Sequence, residues 1–194
     1  MGKSKQRTVT TIIAMTIIAV IIVIFYFNWS NKMDNYQDTS AKGLSEADKL
    51  INLDLKQNYP ETTEAVVKLY CNMIKVVHSG IKDDQVKALA IKMRELFDTE
   101  LIQNNPEDSY LQKLYSDVAS SKDKGRVITN YLIDKENIDQ QNTVDGKDYA
   151  TVYVSFTIME KSKFSENWRY LLRKDDQGLW KIMGWEFAQN NEAK

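Results

Sequence analysis

The side chains that could do chemistry are few, and they are spread along the chain. His78 is the only histidine and Cys71 the only cysteine among 194 residues. A nucleophile–base pair or a zinc site needs a second such group within ligand spacing, and neither residue has one. His78 stands where a helical period runs out, so its expected role is at a helix C-terminus, where a cation is favoured. Cys71 falls inside an apolar helical period and reads as a small buried hydrophobe. Two acidic pairs remain, Asp83-Asp84 and Asp175-Asp176. A catalytic pair needs one carboxyl in surroundings that raise its pKa. These pairs sit at a helix start and in a hairpin turn, where Asp bonds to its own backbone. The chain carries no nucleophile elbow, phosphate-binding loop or dinucleotide fingerprint. The expectation is a protein that is not an enzyme, with no catalytic residue, no metal and no cofactor.

The aromatic residues are the richer resource. Tyr153, Trp168, Tyr170, Trp180 and Trp185 recur in the last quarter of the chain at strand spacing. Trp and Tyr at such positions fill a core or form a contact patch on a sheet face. What places them is a change of period at Gly125. Before it, three amphipathic helices are expected. Pro60-Glu61-Thr62 opens the first, whose face is Val66, Tyr70, Met73, Ile74 and Val77, with Gly80 as its stop. The second starts near Asp83-Asp84, presents Val86, Leu89, Ala90, Met93, Phe97 and Leu101, and fails at Asn104-Asn105-Pro106. The third, shorter one follows that proline with Leu111, Leu114, Tyr115 and Val118 inward.

After Gly125 the period is two. Val127, Thr129, Tyr131 and Ile133 alternate with Ile128, Asn130 and Leu132 in a first strand. The stretch 134–148 is polar, with Asp145-Gly146 as a turn signal. In the second strand, 149–158, Ala150, Val152, Val154, Phe156 and Ile158 share one face. A third, 167–173, turns through Asp175-Asp176-Gln177-Gly178 into a fourth, 179–187. Helices first and an antiparallel meander second describe an α+β fold, with the helices on one face of a curved sheet.

The N-terminal end sets where this domain works. Residues 9–27 hold no charge and are dense in Ile and Val, close to the ~20 residues that cross a bilayer as a helix. Lys3, Lys5 and Arg7 precede the stretch, and Phe25 to Trp29 supply interfacial rings after it. The expectation is one span at 9–28 behind a cytoplasmic tail at 1–8, with the remainder outside the membrane. A cleaved signal peptide would show a shorter apolar core and a small-x-small site. Residues 29–59 read as a polar spacer or stalk with a short helix. Its seam of Leu44, Ala47, Ile51 and Leu55 follows Ser45 as a possible cap and is too short to establish a coiled coil. The folded domain is expected over 60–190. Lys and Arg number 26 and Asp and Glu 27. Three of those cations precede the span, so the outer part is mildly acidic and has no electrostatic claim on nucleic acid.

The order of helices and then about four antiparallel strands is similar to the nuclear transport factor two-like fold. Its final hairpin commonly reads as an aromatic strand, a polar turn with Gly, then W-x-I and an aromatic. Here these are Trp168-Arg169-Tyr170-Leu171-Leu172, then Gly178, then Leu179-Trp180-Lys181-Ile182 and Trp185. Joined to a short tail and one N-terminal span, the whole layout resembles VirB-eight-like components of type IV secretion systems. The Lys-, Asn- and Ile-rich composition resembles the version on conjugative plasmids of Gram-positive bacteria. The resemblance implies a membrane-anchored, non-enzymatic scaffold in conjugative DNA transfer. Its implied partners are other secretion-system proteins, a second copy of itself, and membrane lipid through the N-terminal helix. Some enzymes of the fold, such as ketosteroid isomerases, hold an apolar ligand in a cone. The alternative implied here is therefore a ligand-binding or isomerase-like domain, with Tyr131, Tyr153, Tyr170 and Asp134 as the polar groups of the cone.

Overall fold

A computed structural model describes residues 45–134 and 142–188. The expected span at 9–28, its flanking Lys3, Lys5, Arg7 and Trp29, the tail at 1–8 and the spacer up to residue 44 lie outside the described residues. Among the described residues, no helix is long and apolar enough to cross a membrane.

The compact unit begins at Ser45, fifteen residues before the expected Pro60. Helix α1, Glu46–Ile51, is closed by a capping box in which the Asp48 amide donates to Ser45 Oγ and the Ser45 amide to Asp48. Gln85 donates to the same carboxylate at 2.9 Å and ties this helix to the chain 37 residues on. Ala47 and Leu55 are 2% and 4% exposed. The spacer reading of 45–59 is therefore corrected: Ala47, Ile51 and Leu55 pack into the domain's own core.

Helix α2, Thr63–Val77, is capped by Thr62, whose Oγ1 accepts from the Ala65 amide at 3.1 Å. Val66, Tyr70, Met73 and Val77 are buried, and Ile74 packs half-buried against the same core. The expected second helix proves to be two. Helix α3, Asp83–Arg94, buries Val86, Leu89, Ala90 and Met93. The chain then extends so that Asp98 N–H donates to the Ile182 carbonyl and Ile182 N–H to that of Leu96, both at 2.8 Å. Asp98 caps a new helix α4, Thr99–Asn104, by accepting from the Glu100 amide. Helical period alone runs through this interruption, because Phe97 and Leu101 keep the spacing of the face. Helix α5, Glu107–Asp123, follows Pro106 and is the longest described, where a shorter one was expected. Among the described residues five helices thus stand where four were expected, the short helix of the spacer and three in the domain.

The strands are β1 (Val127–Ile133), β2 (Asn142–Val144), β3 (Lys147–Met159), β4 (Lys163–Lys174) and β5 (Trp180–Phe187). They form one antiparallel sheet in the order β1-β3-β4-β5, with β2 beside the first residues of β3. The β2–β3 turn needs left-handed backbone at both central residues, supplied by Asp145 (φ 50°) and Gly146 (φ 76°). Strand β3 alternates as its sequence dictates, with Ala150, Val152, Val154, Phe156 and Ile158 all buried.

Two bulges break the period elsewhere. In β1 the register shifts between Ile128 and Asn130. Ile128, Tyr131 and Ile133 consequently pack on the core while Val127 stands 41% exposed, which corrects the simple alternation. On β5 the pairing jumps from Leu172–Ile182 to Leu171–Gly184. Trp180, Ile182 and Trp185 then share the inner face although strict alternation would separate them.

Candidate functional site

The aromatic residues converge inside the fold. Tyr170 and Trp180 are 2% and 4% exposed, and Trp168 and Trp185 pack half-buried against the same core. The Tyr70 ring stands 5.3–5.8 Å from Phe97, Tyr170 and Trp185, within the range of favourable edge and tilted contacts. Phe97 in turn meets Tyr110 edge-on at 5.6 Å. Trp168 lies against Phe187 at 3.9 Å. Tyr153 alone of the five candidate aromatics sits on the opposite face of the sheet, opposite Arg169.

This convergence leaves a cavity of about 640 Å³ between α5 and the sheet, a volume typical of small-molecule sites. Tyr70, Phe97, Tyr110, Tyr170 and Trp185 line its aromatic end. Ile74, Leu101, Leu114, Ile128, Phe156 and Ile158 add aliphatic and aromatic wall. The exposed lining residues Lys113, Asp117, Ser120 and Lys124, from α5 and its C-cap, form a polar rim. Tyr110 was not singled out from the sequence: it sits one turn into α5, and its spacing from Leu114 marks it only as core.

The polar groups assigned to a cone distribute differently. Of Tyr131, Tyr153, Tyr170 and Asp134, only Tyr170 is among the lining residues. The Tyr131 hydroxyl donates to Asn72 Oδ1 at 2.7 Å, with the Lys68 carbonyl at 3.2 Å, so it fastens β1 to α2. The Asp134 amide donates to the Tyr153 carbonyl as β1 ends.

His78 does reach the cavity, as the C-cap of α2. Burial pulls its pKa below the usual value, Asp117 pulls it back up, and Arg126 opposes that. Arg126 pairs with Glu166 at 2.5 Å, and both line the same end. Cys71 is fully buried, and burial pushes its thiol pKa up, away from a reactive thiolate. Asp175 organises the β4–β5 turn, its Oδ1 accepting from the Gln177 and Leu179 amides at 2.9 Å each. Asp83 and Asp84 fall in the first turn of α3, as their sequence position implied. Among the described residues, no cluster of three His, Cys, Asp or Glu side chains could hold a metal ion.

No curated protein matches the chain. Residues 1–185 match a family described as a domain of unknown function (DUF6715), which covers the uncharged stretch 9–27 and nearly the whole folded unit. The chain belongs to this family.

Proposed function

We propose that the protein is a membrane-anchored, extracytoplasmic scaffold that works by protein–protein contact. In the finer form of this reading, its folded unit is a nuclear transport factor two-like domain of the VirB-eight-like kind, serving conjugative DNA transfer. The observation that carries it is the occurrence in one chain of an uncharged stretch, 9–27, and, from Ser45 on, a helices-then-meander domain. The sheet offers a surface for contact. Its inner face is buried under the helices, while the outer face presents Tyr153 together with Leu132 and Leu171, 68% and 41% exposed. Anchoring confines partners to the membrane plane, so modest contacts gain through effective concentration.

The test has two arms. Protease added to intact protoplasts should digest the domain from Ser45 onward; protection equal to that of a cytoplasmic marker would contradict the topology. In the second arm, Leu132→Asp and Leu171→Asp should leave the thermal midpoint nearly unchanged yet weaken crosslinking of the full chain to itself or to neighbouring envelope proteins. Undiminished crosslinking in both variants would remove the outer sheet face from the reading.

A further inference from the structure

The hairpin that joins β3 to β4 ends the sheet in a group of exposed apolar side chains. Met159 pairs with Val127 on β1 and with Lys163 across the turn, and Phe164 follows. Val127, Met159 and Phe164 are 41%, 42% and 36% exposed. The polar groups around them are mainly basic. Lys161 and Lys163 belong to the hairpin, Lys122 and Lys124 to the end of α5, and all four are exposed. Arg126 joins the two segments: its amide donates to the Ser121 carbonyl at 2.8 Å, and its guanidinium lies over the Phe164 ring, 5.6 Å from the centroid. Against these cations, the stretches 121–127 and 158–164 carry only the acids Asp123 and Glu160. An exposed apolar group rimmed by one sign of charge marks an interaction surface.

The same end of the fold receives the chain from its N-terminal side. Asp48, in the first turn of α1, is bonded to Gln85 in the first turn of α3. Helix α3 follows shortly after His78, which with Arg126 lines one end of the cavity. Tyr59 and Asp98 are bonded instead to Trp180 and Arg173, at the opposite ends of β5 and β4. Between the uncharged stretch and Ser45 lie residues 28–44, which at ~3.5 Å each reach at most ~60 Å.

We propose that this hairpin end docks on the bilayer that anchors the chain, with anionic lipid as its partner. Val127, Met159 and Phe164 enter the headgroup layer, and the lysines meet the lipid phosphates. The inference rests on the membrane-anchor reading. A bilayer surface sets apolar groups and anionic headgroups side by side, as this end of the fold sets side chains that match them. Each lysine close to such a surface strengthens attachment about fivefold. The short tether keeps the hairpin near the surface, so modest contacts suffice.

The test places a fluorescent nitrobenzoxadiazole label at Ser162→Cys, in the hairpin turn, or at Gln177→Cys, in the β4–β5 turn. These two turns lie at opposite ends of β4, ~36 Å apart at ~3.3 Å a residue. Cys71 is buried, so the unsubstituted chain supplies the labelling blank. The full chain is reconstituted into nanodiscs of phosphatidylcholine with or without phosphatidylglycerol, doped with a spin-labelled lipid that quenches on contact. In the anionic discs, quenching at residue 162 is expected to exceed that at residue 177 several-fold. Lys161→Gln with Lys163→Gln, or omission of phosphatidylglycerol, should remove most of the difference. Met159→Ser with Phe164→Ser should bring residue 162 to the level of residue 177, with the circular dichroism unchanged. A chain that does not co-elute with discs overturns the anchor reading and the docking with it. Co-elution with residue 162 quenched no more than residue 177 overturns the docking alone. A blue shift at residue 162 without lipid quenching marks cover by protein, a second copy included, and overturns the lipid surface. Quenching indifferent to both phosphatidylglycerol and the lysines overturns the anionic partner.

Discussion

At the scale of single residues, the strongest polar commitment is Asp98. Its carboxylate takes two hydrogen bonds from Arg173, at 2.6 and 3.1 Å, and a third from the Glu100 amide, while its residue is 4% exposed. Removing one partner of such a pair strands the other. Asp98→Ala should cost about 3–5 kcal/mol in urea unfolding, whereas a joint Asp98→Leu, Arg173→Met replacement should cost clearly less. His78 makes a pH prediction. Burial holds its folded pKa below the ordinary histidine value of about 6.5, so the unfolded chain takes up the proton first as pH falls. The histidine's contribution to stability is therefore complete above about pH 6.5 and is lost as pH falls through the folded pKa. Melting curves between pH 7.5 and 5 should show this loss, and His78→Gln should flatten that part of the profile. Neither Asp98 nor Tyr110 was legible beforehand. Asp98 follows a helical period without any local signal of a salt bridge, and its partner is 75 residues away.

At the scale of elements, α1 and β5 carry the consequences. A chain truncated to begin at Lys56 loses Ala47 and Leu55 from the core, together with the Gln85–Asp48 bond. It should unfold at markedly lower urea than one beginning at Ser45, by about 2–4 kcal/mol on the scale of large-to-small core changes. Equal midpoints for the two chains would return residues 45–55 to the role of a spacer. In β5, Trp180 is 4% exposed, with Lys174 Nζ 5.0 Å from its ring centroid and the Tyr59 hydroxyl bonded to its carbonyl at 2.8 Å. Trp180→Ala should cost about 3–5 kcal/mol; a loss under about 0.5 kcal/mol would place the ring at the surface. The strand could be read from its aromatic content and its Gly178 turn. The bulge at Gly184 could not, because a bulge is settled by which pairing buries both Trp185 and Ile182.

At the scale of the whole molecule, the helical half, the switch of period at Gly125 and the meander were all legible, because amphipathic period is a local property of the chain. So were the inner face of β3 and the buried state of Cys71, since both follow from spacing alone. The apolar run at 9–27 is likewise written in composition. Three things were decided only by tertiary packing. The unit starts at Ser45 because a two-turn seam finds its partners in α2 and α3, tens of residues away. The second helix divides at Arg94 because Leu96 to Asp98 gain more from pairing with Ile182 than from another helical turn. The cavity exists because α5 packs on α3 while its Tyr110 and Leu114 face the sheet across open volume. Sequence period reports which face is buried. It carries no measure of how closely two buried faces approach, and that distance is what leaves a cavity beside the aromatic core.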